Sequence, residues 1–346
     1  MALAVHHLGH VGDDRVEECR ERVGLVGTGG HRSKGRRFDP PRPVVAVPSL
    51  RGCATLRAVH ERYLAIDLGA SRLAAGVVGA DGTVLVRDRV ATPARHVWPT
   101  LVRLIRRVLA AAPPDEPPTA CGVSCPGPID RATGTFTPAQ VSAWAGFPLR
   151  AELESVTGLP VSIELPGRAL ALGERWCGAA EHVRDVVAIS VGDVVDAGIV
   201  VGGRLLDGRA GNVGQIGHLM VEPDGRVCTC GAYGCLDAYA SASAIESDTN
   251  RPLARTPVAI VERTGIMLAR SIASLAAMVD PSLVLVAGSV PAAFGAPLFE
   301  ALERELEQRM RLPHLAGLSV VPIAGAAGGP LVAAAAVARA DPAPDG

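Results

Sequence analysis

The sequence predicts an α/β protein of two lobes with related topology, and therefore a cleft between them. The first observation is order. From Tyr63 the chain reads as a strand meander, a helix, a strand and a helix, and then the same order returns. The second is composition: 346 residues, 48% hydrophobic and 20% charged, suffice for the core of one large domain or two ordinary ones. The third is a content of 39 glycines, which suits tight turns and phosphate-type loops.

Taken in order, YLAIDLG, RLAAGVVGADG and TVLVRDRVAT are three strands, with a glycine-containing turn between Gly79 and Gly82. A helix over 97–111 follows, then the buried strand TACGVSC. Residues 152–157 form a short helix closed by Gly158, VSIEL is a strand, and 168–177 is a helix. VVAISVG and DAGIVVGG repeat the opening strand pair. A long helix over 257–278 leads into the buried strand LVLVAGS, a charged helix over 297–311, the strand LSVVPIAG and an Ala-rich terminal helix.

Composition also excludes function classes. Only 3% of residues are aromatic, which leaves little material for stacking on bases, and the net charge of −1 argues against a chain built to coat nucleic acid or an anionic membrane. No apolar run reaches the length of a membrane span, and the first residues lack the charged start and apolar stretch of a secretory signal. The expectation is a soluble cytoplasmic protein with neither a membrane nor a nucleic-acid partner. Residues 1–62 stand apart, with net charge +4, a weak helix over 13–23 and the basic, proline-rich run HRSKGRRFDPPRP. They read as a disordered extension. A DNA-binding arm would need three short helices with their own core, which cannot be placed there. Eight cysteines are too few for a disulfide scaffold, and Cys228, Cys230 and Cys235 cluster as a metal site would.

Three segments then converge. IDLGASRLAAGVV is similar to the Asp-x-Gly-Gly-Thr phosphate loop of actin-like sugar kinases. GVSCPGPID is similar to a Gly-x-x-x-Pro-Gly-Pro-x-Asp stretch, and GNVGQIGH followed by CTCGAYGCLD is similar to a Glu-x-Gly-His and Cys-x-Cys-Gly-x-x-Gly-Cys-Leu-Glu signature. Together they resemble the ROK family (repressors, open reading frames and kinases) over about residues 63–340. The resemblance implies a two-lobed actin-like ATPase or sugar-kinase fold, ribonuclease H-like, with a structural zinc loop. It implies an N-terminal lobe over 63–166, a C-terminal lobe over 167–325 with the zinc loop at 214–237, and, over 326–346, a terminal helix packing back on the first lobe and a tail. His218 joins Cys228, Cys230 and Cys235 as a structural Zn²⁺ set, one imidazole and three thiolates, and Gly231 and Gly234 let the loop turn back on the metal.

A sugar kinase needs a carboxylate that accepts the proton of the attacking hydroxyl. The family takes it from Asn-Asp-Ala-Asn ahead of a helix that carries Gly-Glu. Anchoring ELPGRALALGE on Gly173 and Glu174 puts Leu165 at that Asn, Pro166 at the Asp, and Gly167 and Arg168 at the following Ala-Asn. Pro166 cannot accept a proton, so no catalytic residue is assigned. Glu164 is the remaining substitute, roughly 6–7 Å back along an extended chain. The family's second phosphate loop, Gly-Thr-Gly-Ile-Gly-Gly-Gly, reads GDVVDAG from Gly192 to Gly198. Val194 and Val195 obstruct close approach, and Asp193 and Asp196 set carboxylates against a polyanion. Asp67, Gly69 and Ser71 remain in the first loop, where Asp67 could hold Mg²⁺ through water. Gly192 and Gly288 are the remnants of the other nucleotide contacts. On the sugar side Gln215 and Asp237 replace glutamates, His218 is kept, and 137–139 lacks the family's Asn.

These departures set the expectation of a non-catalytic protein, a pseudokinase that leans away from enzyme activity. It keeps zinc, has a loop hostile to ATP and its Mg²⁺, and serves as a sugar or effector binding or scaffold module. A sugar or sugar phosphate could still sit against Gln215, His218 and Asp237. The alternative is an active ATP-dependent hexose (glucokinase-type) or N-acetylhexosamine kinase with altered residues. A second alternative is a ROK transcriptional regulator without a recognisable helix-turn-helix. A homo-oligomer is compatible with the resemblance, although the short segment between Ser243 and Val258 lacks helices that often join such dimers.

Overall fold

The computed structural model describes residues 61–138, 144–323 and 329–340. The expected extension and its helix over 13–23 lie outside the described residues, apart from Glu61 and Arg62.

The first sheet opens with an antiparallel meander of β1 (Arg62–Leu68), β2 (Arg72–Gly79) and β3 (Val84–Ala91). Helix α1 (Val97–Ala111) crosses to β4 (Ala120–Ser124), which runs parallel to β1. A small hairpin, β5 (Ile129–Asp130) and β6 (Thr135–Phe136), and helix α2 (Leu149–Thr157) precede β7 (Val161–Glu164), parallel to β4. The order is β3-β2-β1-β4-β7. Helix α3 (Pro166–Cys177) then leads to a second sheet of the same design. Its meander is β8 (Val186–Val191), β9 (Val195–Val201) and β10 (Arg204–Leu205). After the loop that carries the cysteines come α4 (Asp237–Ala240), α5 (Ala242–Thr249) and α6 (Val258–Val279). The chain closes with β11 (Leu283–Ala287), α7 (Ser289–Phe294), α8 (Ala296–Arg309), β12 (Ser319–Pro322) and α9 (Pro330–Ala340). The second order, β10-β9-β8-β11-β12, repeats the first, so the duplication legible in the sequence is a real repeat of topology.

Side-chain pattern explains the layering. β3 alternates half-buried and exposed residues, as a strand open to water on one face does, whereas β1 is buried on both faces. One face of the first sheet takes Leu101, Leu104, Ile105 and Val108 of α1, an apolar stripe at helical spacing, together with Leu149 and Leu153 of α2. The other face takes α9, whose Leu331, Ala334, Ala335 and Ala338 pack on Tyr63, Ala65 and Val78. α9 is Ala-rich because it lies almost against the strands: a methyl on Gly122 would overlap the Ala334 carbonyl. Leu170 and Ala171 of α3 in turn face Val186, Ala188 and Leu285 of the second sheet.

One helix boundary matters for function. α3 starts at Pro166, two residues before the helix expected from the sequence, with Leu165 extended ahead of it. Proline at the first helical position has no N–H to lose and its fixed φ suits the turn. Among the described residues no helix is long and apolar enough to cross a membrane.

Candidate active site

The turns that open the two sheets meet across the cleft. Gly69 N donates to the Arg72 carbonyl at 2.9 Å and the Thr92 hydroxyl to the Gly69 carbonyl at 2.8 Å, which fixes the β1–β2 turn. From that turn Ala70 N donates at 2.8 Å to Oδ2 of Asp193, which sits on the facing β8–β9 turn. Asp67 lies just below, hydrogen-bonded to the Ser124 hydroxyl. Burial pushes its carboxyl up to about 6, against the opposing pull of Ser124 and Arg72. Ser71 is exposed at the rim. Gly192, Ser289 and Gly288 gather at the end of the second sheet, where Gly288 (φ 122°) approaches the Val191 backbone so closely that a side chain is excluded.

A second contact lies at the start of α3. Asp196, buried on β9, accepts a hydrogen bond at Oδ1 from Gly167 N at 2.6 Å. A methyl at 167 would stand 2.7 Å from that oxygen and 2.5 Å from Ala197 Cα, so only glycine fits. Burial raises the Asp196 carboxyl to about 8, with the neighbouring Asp237 adding to the rise and the Gly167 N–H opposing it. The expected clash of this loop with phosphates is therefore smaller than the sequence suggests. Val195 turns into the core, Asp196 is largely uncharged at neutral pH, and only Val194 and Asp193 stand at the turn.

Glu164, the substitute expected for a base at Pro166, has both carboxylate oxygens engaged. Arg168, fully buried, holds it from two nitrogens, Nε to Oε2 at 2.6 Å and Nη2 to Oε1 at 3.1 Å. Arg131 also pairs with Glu164, and Arg168 reaches on to Asp207 and the Leu206 carbonyl. Above this network lies an open cleft of about 600 Å³ between the β5–β6 hairpin and residues 207–211, lined by Asp130, Arg131, Thr135, Thr137 and Asp207. Asn212 ties its two walls together, accepting from Ile129 N at 3.1 Å and donating to Ile129 O at 2.8 Å. Gln215 is held against Asn212 at 3.3 Å. Asp237 is turned inward, where its Oδ1 accepts from Val195 N at 2.8 Å. Of the 137–139 stretch, Ala139 lies outside the described residues.

The metal-ligating side chains do come together. Nδ1 of His218 lies 3.8 Å from Sγ of Cys228, and Sγ of Cys230 lies 3.8 Å from Sγ of Cys235. All four ligand atoms fall within 4.8 Å of one another. Ligands held tetrahedrally at ~2.3 Å stand about 3.8 Å apart, so the set fits a zinc-type centre. His218 thus stands with the three cysteines in a set that could hold a metal, and it does not line the cleft between the β5–β6 hairpin and residues 207–211.

Sequence reasoning grouped His218, Cys228, Cys230 and Cys235, which the structure brings together. It missed the clamp of Arg168 on Glu164 and the bridge of Asn212, and it took Asp196 only as a repelling charge. A signal for the last was present: Gly replaces Ala at 167 where Asp replaces Gly at 196.

Two lobes of one topology closing on a phosphate-type turn, with a cysteine–histidine loop beside the cleft, define a sugar-kinase-like protein. The chain belongs to the ROK family, whose model matches residues 63–339. A glucokinase of Thermotoga maritima is 30% identical over 277 residues, 71% of this chain and 87% of that protein. An N-acetylmannosamine kinase of Escherichia fergusonii is 34% identical over 250 residues, 67% of this chain and 84% of that protein. The crystal structure of a ROK family glucokinase from Streptomyces griseus in complex with glucose and AMPPNP superposes with a TM-score of 0.68 at 27% identity, covering 81% of this chain and 99% of that one.

These similarities overturn the expectation that the chain leans away from enzyme activity, because its relatives across most of its length are sugar kinases. The sequence argument looked for a carboxylate only along α3 and its preceding strand, whereas the structure also sets Asp196 of β9 against the first N–H of α3.

Proposed function

We propose that this protein is an ATP-dependent kinase of a hexose or N-acetylhexosamine, moving the γ-phosphoryl group to a sugar hydroxyl. The observation that carries this reading is the Ala70 N–H, which at the β1–β2 turn already holds an anionic oxygen, that of Asp193. A turn that binds a carboxylate through its backbone can bind a phosphate oxygen in the same way. The glucokinase and N-acetylmannosamine kinase relatives support the same reaction class.

In this reading the 600 Å³ cleft takes the sugar, with Asp130, Thr135 and Asp207 as hydroxyl partners. Gln215 and Asn212 fix the floor. Asp67 would hold the Mg²⁺ that accompanies the nucleotide, which would supply positive charge against the phosphates. Gly69, Ser71, Gly192 and Gly288 border the nucleotide. His218, Cys228, Cys230 and Cys235 hold a structural Zn²⁺ that closes the loop between β10 and α4. Free sugar and ATP as co-substrates make the cytoplasm the working compartment.

The test is ADP release by purified protein with Mg-ATP and glucose, mannose, N-acetylglucosamine or N-acetylmannosamine. Sugar-dependent turnover on the order of 1 s⁻¹ or more with at least one of them is expected. ADP release that no sugar stimulates would overturn the reading.

A further inference from the structure

We propose that Asp196 is the proton acceptor of the phosphoryl transfer, taking over from β9 the task that Pro166 cannot perform at the start of α3. This rests on the kinase reading above and names a catalytic residue for it.

The argument begins with position. Gly167 N is the first N–H of α3, one residue beyond Pro166, and Asp196 Oδ1 sits 2.6 Å from it. A carboxylate attached to residue 166 itself would occupy the same neighbourhood. Two departures from the family pattern therefore belong together. A methyl at 167 would meet the Ala197 backbone at 2.5 Å and Asp196 Oδ1 at 2.7 Å, so β9 packs against α3 closely enough for the carboxylate at 196 to reach the Gly167 N–H.

Of the other nearby carboxylates, Glu164 has both oxygens clamped by Arg168 and Arg131, while Asp193 and Asp237 each spend one oxygen on Ala70 N and Val195 N and none on α3. Asp196 spends Oδ1 on Gly167, and among the described residues Oδ2 carries no hydrogen bond. Burial, with the neighbouring Asp237 adding to it, raises its carboxyl to about 8, so the ionised fraction that can act as the base grows as pH rises toward that value.

The step balances. The sugar hydroxyl oxygen forms its bond to the γ-phosphorus while its proton passes to Oδ2 of Asp196. The bond from the γ-phosphorus to the β–γ bridging oxygen breaks, and its electron pair leaves with ADP. The protonated Asp196 then returns its proton to solvent.

The experiment compares wild type, D196N, D196G and D196G/P166D, with near-UV circular dichroism to establish folding and calorimetry for sugar and nucleotide affinity. D196N should lose about 10²–10⁴-fold in kcat while both affinities stay within about threefold. The pair D196G and D196G/P166D, which moves the carboxylate to the family's position, should show recovery of at least about tenfold, and serves even where D196N fails to fold. D196N at wild-type kcat, or D196G/P166D no faster than D196G, overturns the assignment and leaves the kinase reading standing. A wild type that phosphorylates no sugar overturns both.

Discussion

Among the described residues Arg168 is the largest side chain completely shut from water, and its guanidinium serves Glu164, Asp207 and the Leu206 carbonyl at once. Removing it would strand the buried Glu164 carboxylate, and breaking such a pair costs about 3–5 kcal/mol. R168M should therefore lower the urea midpoint sharply, and E164Q/R168M should regain part of the loss. The carboxyls of Asp196 and Asp67 set a pH dependence of the opposite sense to an ordinary ion pair. Asp196 rises from 3.8 to about 8 and Asp67 from 3.8 to about 6. Between those limits the folded chain keeps protons that the unfolded chain has released, so stability falls as pH rises. Among the groups that face Asp196, Asp237 and Cys125 carry no positive charge to offset this. Urea stability should be greater at pH 5 than at pH 8, and D196N should flatten the slope.

At the scale of elements, the β8–β9 turn acts as an occupant of its neighbour. As long as Asp193 holds the Ala70 N–H, a phosphate must displace it, and each carboxylate near a polyanion adds repulsion. D193S should tighten ATP binding several-fold by calorimetry, and an unchanged affinity would show that the nucleotide never reaches this turn. The loop of His218 to Cys235 keeps Met220, Val227 and Tyr233 exposed and thus has little apolar burial of its own. Under the zinc reading proposed above, the metal would contribute on the order of 10 kcal/mol to its fold. Chelation or C230S should lower the thermal midpoint and release zinc at one equivalent per chain.

For the whole molecule, the sequence makes the repeated sheet order legible because both halves alternate long apolar strands with helical segments. Short elements escaped it: α4, α7 and the β5–β6 hairpin have too few residues to establish a period. The site was legible only where ligands are neighbours along the chain, as with the three cysteines. Asp196 and Gly167 are 29 residues apart and bond only once β9 has packed against α3. A reading along the chain registers the proline as a loss and the aspartate as a nuisance, and only the paired changes at 167 and 196 hint that β9 and α3 meet there.

Between the two sheets lies a seam in which α3 and α9 rest on each other through Ala169, Leu172, Ala333 and Val337, with Gly173 directly under Ala333. Surfaces this smooth interlock little, so sliding one helix over the other is the path of least resistance for drawing the halves together around a substrate. A leucine at 333 would act as a mechanical stop. The A333L protein should bind sugar without the contraction in radius of gyration that small-angle scattering would register for the parent chain.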